Sequence, residues 1–185
     1  GFLKDGTLII ADGKIAEISA SNINIANTLE IDAKGQYVAP GFIDMHVHGG
    51  GGHDFMDNTV EAFLEIAKTH AKYGTTALMP TTLSCEKEDL LTTLNIYEKA
   101  DAINTEGAAF VGIHIEGPYF AMSQKGAQDP RYIRNPDPAE YREILAASKN
   151  IKRWSAAPEL PGTIAFGNYL KENNVLAAIA HTDAI

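Results

Sequence analysis

The chain has 185 residues, 45% of them hydrophobic and 21% charged, and a formal net charge of -9, the balance of an ordinary globular protein. An acidic chain with no basic stretch has little to neutralise phosphates along a nucleic acid, and no apolar run nears the roughly 18 residues that span a bilayer, so neither nucleic acid nor membrane is an expected partner. The single cysteine, Cys85, excludes an internal disulfide framework. With no signal-peptide pattern in the first twenty residues, the expected compartment is the cytoplasm, although Gly1 rather than Met opens the chain.

The first forty residues read as β. The apolar run 7–10, the turn pair Asp12-Gly13 and the apolar run 15–18 predict a hairpin, and a further short strand is expected around 28–31. After Pro40 strands and helices alternate. A strand over 41–47 leads to a helix over 59–73, where Phe63, Ile66, Ala67 and His70 share one face and Gly74 ends it. A strand over 75–79 follows, then a helix over 86–104 with Ser84 as its expected cap. Residues 109–115 form the third strand, 117–136 a long irregular stretch. Helices over 138–148 and 163–172 then alternate with strands over 151–156 and 175–180. Four βα repeats ending on a fifth strand imply an α/β fold with parallel pairing. An open doubly wound sheet and part of a (β/α)8 barrel both fit. A whole barrel takes roughly 250 residues, and only about 145 follow Pro40.

Three strand ends carry residues with chemistry. In 40–50, Pro-Gly-Phe-Ile-Asp-Met-His-Val-His-Gly-Gly, the i, i+2 spacing puts His46 and His48 on one strand face, where two neutral imidazoles can share a metal ion. Glu116, in Gly-Ile-His-Ile-Glu-Gly-Pro (112–118), ends a buried apolar strand. A carboxylate there is costly unless it meets a cation or donors. His114 shares its face, as an outer contact or as a packed core residue. His181 ends the fifth strand in His-Thr-Asp-Ala (181–184) and is a third-strand ligand candidate; Asp183 is a weaker candidate base. The loop motif Lys-Gly-Ala-Gln-Asp-Pro (125–130) offers Ala127 and Gln128 as substrate contacts. His53, in a Gly-rich loop, and His70, on a helix, read as structural.

Together with Gly-Thr-Thr…Pro-Thr (74–82) and Ala-Pro-Glu (157–159), these motifs resemble the amidohydrolase superfamily and, within it, the N-acetylglucosamine-6-phosphate deacetylases. The resemblance runs along essentially the whole chain. The Glu116 motif discriminates best, because many relatives, dihydroorotases and ureases among them, carry a carboxylated lysine at the corresponding place.

The resemblance implies a (β/α)8 barrel, here about five strands of it (residues 40–185), preceded by an incomplete β-sandwich segment (1–39). It implies metal-dependent hydrolysis of the acetamide of N-acetylglucosamine 6-phosphate to glucosamine 6-phosphate and acetate, in amino-sugar catabolism. Implied ligands to one or two divalent ions are Glu116, His181, His46 and His48, with zinc expected first and iron, manganese or cobalt as alternatives. A small amino-sugar phosphate is the expected partner, and the intact protein is expected to be a homo-oligomer, a dimer. The family's catalytic Asp, a later metal-binding His and the phosphate-binding residues are expected beyond Ile185, so residues 1–185 alone are expected to be inactive and either oligomeric or poorly soluble. Ala180 also departs from the Gly that usually precedes this His. An amidohydrolase acting on a cyclic amide or another N-acyl sugar is the alternative, as is an inactive fragment.

Overall fold

The computed structural model describes residues 3–185. They form two compact units, divided between Pro40 and Gly41.

The first unit is a hairpin with a tail. Strand β1 (Thr7–Ala11) pairs antiparallel with β2 (Lys14–Ser19). Asp12 and Gly13 both take positive φ, 52° and 70°, the two-residue turn whose twist matches paired strands. The strand expected over 28–31 does not form: no described residue pairs with this segment, and Leu29 and Ile31 are exposed. Apolar residues alone do not make a strand, because the ladder needs a partner to take its N–H and C=O groups.

The second unit carries the βα repeats. In chain order it runs β3 (Phe42–Val47), the short β4 (Gly49–Gly50) and β5 (His53–Asp54), α1 (Val60–Lys72), β6 (Thr75–Pro80), α2 (Lys87–Ile103), β7 (Ala109–Phe110), β8 (Ile113–Glu116), α3 (Pro138–Ala147), β9 (Ile151–Ala156), α4 (Thr163–Glu172) and β10 (Leu176–Ile179). Parallel pairing gives the orders β3-β6-β7 and β8-β9-β10, and a parallel bridge between Thr81 and His114 links the two. The expected strand over 109–115 is thus broken in two. Gly112 sits between its halves at φ 113°, a conformation open to glycine and strained for any other residue.

Helix ends follow their capping chemistry. Thr59 accepts from the Ala62 amide at the start of α1, and Asp137 accepts from the Ala139 and Glu140 amides ahead of α3, which begins with proline. Ser84 does not cap α2. Glu86 occupies that position, without a side-chain cap bond, and the buried Ser84 hydroxyl has no hydrogen-bond partner.

Helical apolar faces close over one side of the strands. Phe63 of α1 packs against Phe55, Tyr97 and Phe110, with ring centroids 4.7 to 6.4 Å apart. Trp154 of β9 stacks on Tyr119 and meets Phe166 of α4 edge-on at 5.0 Å. Each such ring contributes about 1.5–3 kcal/mol by leaving water. Ile43, Ala77 and Ala109 lie in one cross-strand row, and Asp44, Leu78 and Phe110 in the next. Period-2 alternation therefore sends Leu78 to the helix-covered side, fully buried, while Ile43 is 64% and Val111 39% exposed on the other. Past the break at Gly112, Ile113 is again fully buried.

Candidate metal centre

Parallel strands bring their C-terminal ends to one edge. Backbone bonds join those ends: Thr81 N–H donates to Val47 O (2.9 Å), Thr82 N–H to His114 O (3.0 Å) and Ala180 N–H to Ala156 O (3.3 Å). His46 lies near the end of β3 and His48 directly follows it, Glu116 closes β8, and His181 follows β10.

These four side chains meet at the Glu116 carboxylate, whose side chain is 7% exposed. Oε1 lies 3.4 Å from His46 Nε2 and 3.3 Å from His181 Nε2; Oε2 lies 3.1 Å from His48 Nε2 and 3.2 Å from Gln128 Nε2. His46 and His48 bring their Nε2 atoms to 3.2 Å. One ligand atom each from His46, His48 and Glu116 fall within 4.8 Å of one another. Two nitrogens and a carboxylate oxygen at that spacing suit a borderline divalent cation.

The imidazoles are oriented from behind. His48 Nδ1 is 3.1 Å from Thr81 O, and His181 Nδ1 is 2.8 Å from Gln124 O. A carbonyl only accepts, so Nδ1 carries a proton: Nε2 donates to the carboxylate when the ring is protonated, and in the neutral ring its lone pair is the one a cation would take. His181 holds this pose at φ 49°, a left-handed backbone costing roughly 1–2 kcal/mol. The ring rests against Phe120 at 4.3 Å between centroids.

Burial pushes the Glu116 pKa up, but the His48 hydrogen bond and the charges of His46 and His48 outweigh it and hold the carboxyl at about 2. His48 is raised in turn, first by its hydrogen bond to Glu116, against burial. The site therefore holds a buried, ionised carboxylate that only neighbouring donors or a cation make tolerable.

His114 is fully buried directly behind the site. Its Nε2 lies 2.7 Å from Ser155 Oγ and its Nδ1 3.4 Å from Thr81 Oγ1, and its ring meets His46 edge-on at 4.9 Å. Burial, with Arg153 and His46 adding to it, lowers its pKa to about 3, so it stays neutral. Thr81 also accepts from the Val47 amide. Thr81, Ser155 and Gln124 are the supporting residues that residue-by-residue reading of the sequence passed over. Thr81 lies inside the quoted 74–82 motif and follows β6, and Ser155 is one residue from the end of β9, the kind of position that marked the histidines; Gln124, in the loop after β8, carries no such signal.

The other candidates are placed differently. Ala127 is exposed on its loop, while Gln128 is buried with both ends of its amide engaged, Oε1 accepting from Ser84 N–H at 2.8 Å. Asp183 is exposed and bound to Ser123 Oγ and Gln124 Nε2, which lower its pKa, so its carboxylate ties the segment after β10 to the loop after β8. His53 pairs with Asp57, and His70 Nε2 meets Gly49 O at 3.1 Å.

Comparison with known proteins adds the lineage. N-acetylgalactosamine-6-phosphate deacetylase of Escherichia coli O157:H7 is 34% identical over 185 residues, covering all of this chain and 48% of the relative. N-acetylglucosamine-6-phosphate deacetylase of Lysinibacillus sphaericus is 34% identical over 179 residues, covering 94% and 45%. The N-acetyl-D-glucosamine-6-phosphate deacetylase of Mycobacterium smegmatis, solved as a mutant with N-acetyl-D-glucosamine-6-phosphate, superposes with a TM-score of 0.86 at 30% identity, covering 97% of this chain and 46% of that one. The chain spans about half the length of the relatives it matches. The family model described as "Amidohydrolase family" matches residues 37–165. With more than half of its length inside that match, the chain belongs to the amidohydrolase family.

Proposed function

We propose that the protein carrying this chain removes the acetyl group from N-acetylglucosamine 6-phosphate, giving glucosamine 6-phosphate and acetate. The observation that supports this reading most directly is the convergence of His46, His48 and His181 on the two oxygens of a buried Glu116, in a chain similar to the amino-sugar-phosphate deacetylases of E. coli and L. sphaericus. The fold we infer is part of a (β/α)8 barrel, with the strand C-terminal ends at its mouth, where such barrels carry their chemistry. Residues 1–39 would belong to a β-sandwich segment. We place the protein in the cytoplasm, as a homodimer.

Glu116, His46, His48 and His181 would hold one or two divalent ions, zinc first among them. Such an ion lowers the pKa of a bound water and polarises the amide carbonyl. The chain's own residues prepare that chemistry. The Thr81 and Gln124 carbonyls hold the protons of His48 and His181 on Nδ1, leaving the Nε2 lone pair free to ligate a cation. His114 keeps the floor neutral, so no second charge competes with Glu116. The loop carrying Ala127 and Gln128 is the substrate contact. Because the Gln128 amide is already engaged, its contact with the sugar would run through the backbone.

A second reading, the galactosamine epimer as substrate, is favoured by the E. coli relative, which matches all of this chain. A cyclic amide is disfavoured by the glutamate at position 116 and by the 125–130 loop. Acetate release by the whole protein from both N-acetylhexosamine 6-phosphates, with ring opening of dihydroorotate followed beside it, tests all three readings. We expect turnover of N-acetylglucosamine 6-phosphate that is lost on chelation and restored by zinc. A clear preference for the galactose epimer would replace the first reading with the second, and turnover of dihydroorotate alone would overturn both.

A further inference from the structure

Gln128 is 4% exposed and lies 12 residues beyond Glu116, on the loop after β8. Its amide is clamped at both ends. Ser84 N–H can only donate, so the oxygen of the Gln128 amide must face it, at 2.8 Å. That fixes the other end: the NH2 group points at Glu116 Oε2, at 3.2 Å. The amide therefore cannot flip without leaving Ser84 N–H facing a donor and Glu116 facing an acceptor, both inside the protein. The Gln128 backbone is held too, its N–H donating to Lys125 O at 3.0 Å.

From this arrangement we propose that Gln128 is a positioning residue for Glu116: its amide ties the carboxylate to the loop after β6 and sets which lone pairs remain for a metal ion. The proposal rests on the metal reading above. Oε2 spends one lone-pair direction on Gln128 and turns the other toward His48, while Oε1 stays turned to His46 and His181. Without the tether the carboxylate is free to rotate about its terminal bond, a soft torsion, and must be re-ordered each time an ion binds. The role also requires an amide. A carboxylate at position 128 would accept from Ser84 equally well but would set like charge against Glu116. A methionine of similar length would satisfy neither partner.

The test uses the whole metal-stripped protein, with cobalt(II) as the probe: dissociation constant by titration, visible d–d spectrum of the loaded protein, and melting temperature of the metal-free form. Gln128→Met is expected to weaken cobalt binding by about 10–100-fold, the usual effect of removing an outer-shell partner, and to change the d–d band. Gln128→Glu preserves the shape and the Ser84 bond, so it tests the Glu116 contact even if the methionine variant does not fold. It too is expected to alter the band. A loss of affinity with a changed spectrum supports the proposal. Cobalt affinity within about threefold of wild type for Gln128→Met, or a Gln128→Glu spectrum superimposable on wild type, overturns it and leaves the metal reading standing. Failure of the wild-type protein to bind cobalt would instead overturn the metal reading, and this inference with it.

Discussion

Replacing Glu116 by Gln tests the electrostatics of the site apart from any reaction. The carboxyl is nearly buried and held at a pKa of about 2, against 4.5 for an ordinary glutamate. A depressed carboxylate stabilises the folded state at pH above its unfolded value, and that stabilisation is lost as pH falls through the folded value. For Glu116 the window runs from 4.5 down to about 2, and its depth is about 3 kcal/mol. His48 has the opposite sign. Its pKa is raised above 6.5 by the same carboxylate, so its contribution is complete below 6.5 and disappears as pH rises through the folded value. In the metal-free whole protein, urea unfolding from pH 2 to pH 8 should show wild type gaining about 3 kcal/mol over Glu116→Gln between pH 2 and 5. The difference between the two should narrow on the alkaline side. Comparing the difference between the proteins removes the other acids that titrate in this range. Parallel pH profiles for the two proteins would refute the coupling between Glu116 and its histidines. On the function proposed above, the same variant of the whole protein should also lose most acetate release from N-acetylglucosamine 6-phosphate.

Three further outcomes follow from packing and backbone. Trp154 is fully buried, and its Nε1–H donates to Gly117 O at 2.8 Å. Trp154→Phe should cost about 1–3 kcal/mol by orphaning that carbonyl, and Trp154→Ala about 3–5 kcal/mol in chemical denaturation. Gly112→Ala would carry a side chain at φ 113° and place Cβ 2.2 Å from the Lys152 side chain, so we expect a clear fall in melting temperature, worth about 1–3 kcal/mol from the backbone alone. Burial pushes the Cys85 thiol up to about 12, and the thiolate is the reactive form. Iodoacetamide at pH 8 should therefore label the native protein far more slowly than the urea-unfolded one, and equal rates would refute the burial.

The order of elements in the second unit was legible from the sequence because each rests on a local rule. Phe63, Ile66 and Ala67 repeat at helical spacing and lie buried in α1, and the run 151–156 forms a strand over the same residues. The candidate residues His46, His48, Glu116 and His181 stood out for a similar reason: polar groups that end apolar strands are expensive there and call for partners. Local pattern also set limits. It suggested a strand over 28–31 that has no partner, and a cap at Ser84 whose hydroxyl is buried and unbonded. Which face each strand residue takes was decided only by pairing, since the break at Gly112 and the row offset between Ile43 and Leu78 arise between strands. The support of the site is of the same kind. Thr81 behind His48, Gln124 behind His181, Ser155 behind His114 and Gln128 behind Glu116 lie 33, 57, 41 and 12 residues from the groups they hold. A sequence names donors and acceptors by type, but a hydrogen bond forms only at a distance and angle that the folded chain alone supplies.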